Sequence, residues 1–157
     1  MSEQRAIEAL EAAGLDFTLT RHGRVSSLAE AAEARGVQPR DLIKTLVVRR
    51  ADDDFLFVLV PGDREISWPK LRSLLGVSRM SMPDKDVAKQ ATGYERGTIT
   101  PFGSTTAWPV VADASLAGEP DRMISLGAGA HGVAVTVNAE AAIAALEAQV
   151  ADVTELQ

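Results

Sequence analysis

An α+β fold, with helices flanking a curved, mixed and mostly antiparallel β-sheet, is the class that three features of this 157-residue sequence predict. First, LIKTLVVRR and FLFVLV are two runs rich in β-branched and aromatic residues, separated only by ADDD, which is the pattern of a β-hairpin. Second, several short amphipathic segments carry their own start and stop signals and so read as separate helices. Third, strands and helices mix without the regular βαβ alternation that a doubly wound parallel sheet needs. The length suits one domain spanning 1–157, long enough to bury about 68–70% of its unfolded surface.

The elements follow in order. Residues 2–13 read as a helix with Ile7 and Leu10 on one side and Gly14 placed to end it. DFTLT is a short strand with Phe17 and Leu19 on one face. Ser27 followed by Glu30 is a capping box, opening a helix that stops at Gly36. After the hairpin, Pro61-Gly62-Asp63 makes a turn, and Ser67 is placed to cap a helix holding Leu71, Leu74 and Leu75 that closes at Gly76. A short strand near Met80 and a helix from about Asp84 to Ala91 come next. Residues 92–107 read as irregular, because three glycines and a proline punctuate a mostly polar stretch. WPVVAD, RMISL and GVAVTV are three further strand candidates. Asn138 can cap a last helix, in which Ile143, Leu146 and Val150 form a helical stripe.

Composition removes several function classes. With 46% hydrophobic and 24% charged residues the chain is globular rather than disordered. Cysteine is absent, which removes disulfides, thiolate nucleophiles and sulfur-ligated metals and suits a cytoplasmic protein. Charges interrupt the apolar residues of the first segment, so it does not read as a signal peptide. No apolar run approaches the roughly 20 residues that cross a bilayer, so no membrane partner is expected. The net charge of −6 is uneven: residues 64–96 hold seven Lys/Arg against four Asp/Glu, whereas residues 97–157 hold one against seven. A basic middle can meet phosphates while the acidic end faces elsewhere.

The motifs for common chemistries are missing or misplaced. Two histidines without HExxH spacing do not make a typical zinc site. Asp52-Asp53-Asp54, lying between two strands, reads as a solvated turn. No G-x-S-x-G elbow is present. Residues 127–132, GAGAHG, match G-x-G-x-x-G, with Asp152 at a plausible distance for a ribose ligand. The strand-like VAVTV that follows excludes the helix N-terminus a dinucleotide site requires. A tight turn lining a pocket remains open.

Lys44 and the segment GYERGTITPFG each allow two readings. Lys44 shares a strand face with Leu46 and Val48. It is either an edge-strand gatekeeper or a compact cation aimed into a pocket for phosphate or carboxyl oxygens. The segment, with Gly97 and Pro101 bracketing three residues and Gly103 following, is either a plain connection or a rigid loop presenting main-chain amides to a carbonyl oxygen.

Taken together, these residues resemble the YbaK family and its relative, the editing domain inserted in bacterial prolyl-tRNA synthetases. LIKTLVV resembles the family's lysine-bearing strand, and TGYERGTITPFG is similar to its T-G-Y-x-x-G-x-x-x-P-x-G loop. WPVVADA resembles the strand that follows, AALEAQVADV the terminal helix, and His22 stands where family members often have a histidine. The chain departs from the branch that removes cysteine from tRNA(Pro) in its late glycine loop. There GAGAHGVA stands for Ser-Gly-Gly-Lys-Arg-Gly-Leu-Asp, with Gly127, Ala130, His131 and Ala134 replacing Ser, Lys, Arg and Asp.

The resemblance implies a freestanding hydrolase that cleaves the ester of mischarged aminoacyl-tRNA, foremost tRNA(Pro) carrying Cys or Ala. Prolyl-tRNA synthetase is its implied protein partner. A non-catalytic tRNA- or synthetase-binding module is the alternative. Lys44 and Gly97 take the catalytic roles, Lys44 orienting the terminal adenosine or its phosphate and the backbone around Gly97 engaging the ester carbonyl. His22, Thr45, Tyr94, Thr100, Pro101, Gly103, Gly127, Gly129 and His131 are expected to bind substrate. No metal or organic cofactor is required, since the ester is already activated and needs positioning more than a strong nucleophile.

Overall fold

The computed structural model describes residues 2–157, and its strands fall into three sheets. Helix α1 (Ser2–Ala12) leads into β1 (Phe17–Arg21). Helix α2 (Leu28–Arg35) and a 3₁₀ turn (Pro39–Asp41) precede the hairpin of β2 (Ile43–Ala51) and β3 (Asp54–Pro61). Then come β4 (Arg64–Ile66), α3 (Trp68–Leu75), α4 (Lys85–Thr92), β5 (Val110–Asp113), β6 (Met123–Gly127), β7 (Val133–Asn138), α5 (Ala139–Ala145), β8 (Gln149–Ala151) and β9 (Thr154–Leu156).

One sheet runs β1-β7-β6 and is antiparallel throughout; a second runs β2-β3-β5-β8; β4 and β9 form a third, antiparallel pair. In the second sheet β2 pairs antiparallel with β3, while β3-β5 and β5-β8 are parallel; with four of the six strand pairings antiparallel, the expected mixed and mostly antiparallel character holds over the three sheets taken together.

The central strand explains the arrangement. Every residue of β3 from Phe55 to Pro61 is buried, and a strand buried on both faces reads as a continuous apolar run rather than an alternation. Phe55, Phe57 and Leu59 face one core together with Leu10 of α1 and Ile124, Leu126, Val135 and Val137 of the first sheet. Leu56, Val58 and Val60 face the other, against Ile66, Leu71 of α3 and Val153. Truncating a side chain such as Leu126 to alanine typically costs about 2–5 kcal/mol. The hairpin turns through Asp52 and Asp53, the latter at φ 57, a conformation aspartate tolerates better than most residues.

Caps decide the helix ends. The Ser27 hydroxyl accepts the Glu30 amide at 3.1 Å, and the Glu30 carboxylate reaches back to the Ser26 amide at 3.2 Å, one residue earlier than a capping box predicts. Ser67 stands at the N-cap of α3 with no side-chain capping bond; instead its amide donates to the Val153 carbonyl at 2.8 Å. Near Met80 there is no strand, only a bridge in which Arg49 and Ser81 exchange amide bonds of 2.8 and 3.1 Å.

The C-terminal segment overturns the expected helical stripe. Asn138 caps α5 through the Ala141 amide at 2.9 Å, but the helix ends at Ala145. Glu147 turns left-handed at φ 51, and Val150 lies in β8, where it is exposed. There β8 pairs with the edge of β5 and β9 with β4, and satisfying those backbone groups outweighs continuing the helix. The basic middle and the acidic end also meet rather than face apart: Lys70 Nζ lies 3.0 Å from Asp152 and donates to the Thr154 carbonyl at 3.0 Å.

Candidate active site

Strand β2 is an edge strand, and its exposed side forms one wall of the cleft. Only its two ends are covered, by the bridge from Leu42 to Ser125 and by that from Arg49 to Ser81. The Arg49 amide and carbonyl point outward to Ser81, and antiparallel pairing alternates direction residue by residue. Thr45 and Val47 therefore turn their backbone groups the same way. Beside them lies a cleft of about 570 Å³ whose lining includes Lys44, Thr45, Arg35, Arg96, Gly97 and Gly127.

Lys44 reaches this cleft from the β2 face that it shares with Leu46 and Val48, as alternation predicts. Its ammonium donates to the Arg64 carbonyl at 2.6 Å. Arg64 is itself tied to β9, its Nε donating to Thr154 Oγ1 at 2.5 Å, so the last strand sets where Lys44 sits. Burial pushes the Lys44 pKa below the ordinary lysine value, while Glu65 and Asp63 pull it upward. Thr45, on the opposite face, has a buried Oγ1 with no hydrogen-bond partner.

The glycine-proline segment is irregular, as expected, yet much of it is core. Tyr94, Thr98, Thr100, Pro101 and Phe102 are buried, whereas Gly97 is exposed. Tyr94 lies wholly inside, its hydroxyl donating to the Phe102 carbonyl at 2.6 Å. Arg5 of α1 stacks 4.6 Å from the Tyr94 ring centroid and donates to the carbonyls of Gly93 at 2.8 Å and Gly103 at 3.1 Å. Gly97 holds φ +89, a backbone conformation that favours glycine.

Of the eleven residues the sequence nominates, Lys44, Thr45, Gly97 and Gly127 come together in the cleft. His131 stands beside it: exposed, with Nε2 3.4 Å from Glu95 and its ring next to Gly97. The others hold the scaffold. Thr100 Oγ1 accepts the Phe102 amide at 3.3 Å, and Gly103 and Gly129 lie against the α1 backbone and Tyr94. Pro101 lines a separate depression with Trp108 and Leu146. His22 ties β1 to the loop before β7, its amide donating to the Gly132 carbonyl at 2.9 Å; Nδ1 lies 2.9 Å from the Gly23 carbonyl, and Nε2 is buried without a partner.

Sequence reasoning missed Arg35 and Arg96 in the cleft. An arginine in the last turn of a helix reads as a charge answering the helix dipole, so Arg35 carried no distinguishing signal. Among the described residues no group of three or more His, Asp or Glu is arranged to hold a metal, and no helix is long and apolar enough to cross a membrane.

The family model for the aminoacyl-tRNA editing domain matches residues 22–144, a span containing β2, the glycine-proline segment and Gly127. The chain belongs to the aminoacyl-tRNA editing domain family. The YbaK resemblance and the relation to prolyl-tRNA synthetase editing regions are thereby established. The chain is 36% identical over 92 residues to the proline–tRNA ligase of Citrifermentans bemidjiense, covering 59% of this chain and 16% of the ligase. It is 39% identical over 77 residues to that of Heliobacterium modesticaldum, covering 49% and 13%. The match therefore spans a small part of these synthetases. Among solved structures, a candidate trans-editing enzyme for prolyl tRNA synthetase superposes with a TM-score of 0.86 at 25% identity, covering 98% of this chain and 97% of that one. The hypothetical protein APE2540 superposes with a TM-score of 0.85 at 25% identity, covering 96% and 99%.

Proposed function

We propose that this editing domain is an aminoacyl-tRNA deacylase acting in trans in the cytoplasm, with tRNA(Pro) carrying Cys or Ala as its foremost substrate. The observation that carries the reading is the meeting of Lys44, Thr45, Gly97 and Gly127 around one cleft beside an open strand edge. The likeness to a candidate trans-editing enzyme for prolyl tRNA synthetase supports action in trans.

The chemistry needs little from the protein beyond placement. Water attacks the ester carbonyl, the acyl–oxygen bond breaks, and a proton passes to the departing ribose oxygen. Charge builds on the carbonyl oxygen, and preorganised backbone amides in a partly dehydrated site stabilise it most. The backbone around Gly97 supplies that stabilisation. Lys44, held by the Arg64 carbonyl, orients the terminal nucleoside as a fixed cation. The uncommitted Thr45 hydroxyl and the outward backbone of β2 hold the aminoacyl group. The vicinal ribose hydroxyl relays the proton, which suits a cleft whose lining holds no His, Cys or Ser.

The test is turnover of a panel of tRNAs charged with Cys, Ala, Ser, Thr and Pro by purified protein. Multiple turnovers on Cys- or Ala-tRNA(Pro), with Pro-tRNA(Pro) spared, are expected. Stoichiometric protection without release would make the domain a binding module instead.

A further inference from the structure

Among the cations of the cleft, Lys85 and Arg96 are exposed to water, whereas Arg35 and Lys44 are half-buried, and of these two only Arg35 lacks a close partner. Lys44 is committed to the Arg64 carbonyl at 2.6 Å. Asp84, also on the lining, is occupied as the cap of α4, accepting the Val87 amide at 2.9 Å. The Arg35 guanidinium makes one long hydrogen bond, Nη1 to Ser125 Oγ at 3.4 Å. Its Nε is buried without a partner, and among the described residues no carboxylate lies within ion-pair distance. Arg50 also has an unpartnered Nε, but its Nη2 reaches Asp54 at 3.0 Å, so its charge is answered.

A guanidinium drawn away from water with no counter-charge costs free energy, because desolvation is unopposed by Coulombic attraction. Burial correspondingly disfavours the charged form of Arg35. The C-terminus of α2 offsets part of the cost, since Arg35 occupies its last turn, but a partial charge on carbonyls does not replace an anion. Arginine's planar fork matches phosphate oxygens bidentately, and a partly dehydrated site strengthens such a contact. The cleft lining holds Arg35, Lys44, Lys85 and Arg96 against Asp84 alone.

Resting on the deacylase reading, we propose that Arg35 is the phosphate anchor of the cleft, binding the phosphodiester that joins the last two nucleotides of an RNA 3′ end. The anchor sits at the Ser125 end of β2. It holds the terminal nucleoside in register with Gly97 while Lys44 acts on the nucleoside itself.

Binding without chemistry tests this independently of turnover. The dinucleotide CpA, adenosine and inorganic phosphate are titrated into the full chain and into Arg35→Gln, followed by calorimetry. Thermal melting confirms that the variant is folded. The intact protein should bind CpA at least tenfold more tightly than adenosine. Arg35→Gln should bind both alike, with adenosine affinity unchanged and the salt dependence of CpA binding reduced. Equal affinity of the intact protein for CpA and adenosine, including failure to bind either, overturns the proposal even if Arg35→Gln fails to fold. So does a folded Arg35→Gln that keeps the preference for CpA. Inorganic phosphate binding as tightly as CpA would assign the site to free phosphate and overturn the RNA 3′-end assignment. Loss of deacylation across the tRNA panel, with the CpA preference intact, would sink the catalytic reading while leaving this one standing.

Discussion

Replacing Gly97 separates conformational strain from steric collision. Its φ of +89 lies where L side chains are rarely found, yet an added Cβ would meet only His131 Cε1, at 3.7 Å. Gly97→Ala therefore strains the backbone without a clash, at a cost of about 1–2 kcal/mol. For a domain of this size that is a fall in melting temperature of about 2–8 °C. The expected effect on catalysis is larger. If the left-handed turn aims main-chain amides at the ester carbonyl, relaxing it removes preorganised stabilisation, for which one lost donor costs about 10²–10³ in kcat. Gly97→Val, with branching at Cβ, should lose more than Gly97→Ala.

Gly103→Ala is the contrasting control. Its Cβ would lie 2.5 Å from the Arg5 carbonyl oxygen and 2.6 Å from the Tyr94 hydroxyl. Backbone cannot yield as a flexible side chain can, so this variant should lose stability before it loses specific activity. Single-turnover deacylation and thermal unfolding, measured on all three variants, decide the matter. Parental single-turnover rates in a folded Gly97→Val would refute the reasoning and reduce the segment to a connection.

Other outcomes follow from the same geometry. Lys44→Ala should lower kcat/KM at least about tenfold, equivalent to about 1.4 kcal/mol, in a protein that still folds; near-normal turnover would return Lys44 to an edge gatekeeper. Burial depresses the Lys44 pKa, so its cationic form costs stability at neutral pH, and that cost fades as pH rises through the folded pKa. Activity should accordingly fall on an alkaline limb that begins below the pH of an ordinary lysine and is absent from Lys44→Arg. Tyr94→Phe leaves the Phe102 carbonyl without its donor and should cost about 1–3 kcal/mol, read by denaturant unfolding. Arg72 and Arg79 line a depression with Arg49 and Arg50, so their joint removal should weaken tRNA binding and flatten its salt dependence. Lys70→Ala should do neither, because Asp152 already holds that charge; equal effects from the two changes would defeat this orientation.

Local signals carried much of this protein. Alternation in LIKTLVV placed Lys44 with Leu46 and Val48, ADDD located the hairpin, and Gly36, Gly76 and Asn138 marked helix boundaries, because each rests on neighbours a few residues apart. The motifs in β2 and in the glycine-proline segment also revealed the family. What the tertiary structure alone decided depends on partners distant in sequence. Gln149–Ala151 is a strand because β5 offers it an edge, against a helical pattern in its own residues. Tyr94 is core rather than lining because Arg5, 89 positions earlier, covers it. Arg35 became a candidate anchor only when folding half-buried it beside Ser125, 90 positions away, without supplying a counter-charge. Propensity and periodicity describe a segment's own preferences, whereas burial and ion pairing depend on which segments the fold brings together.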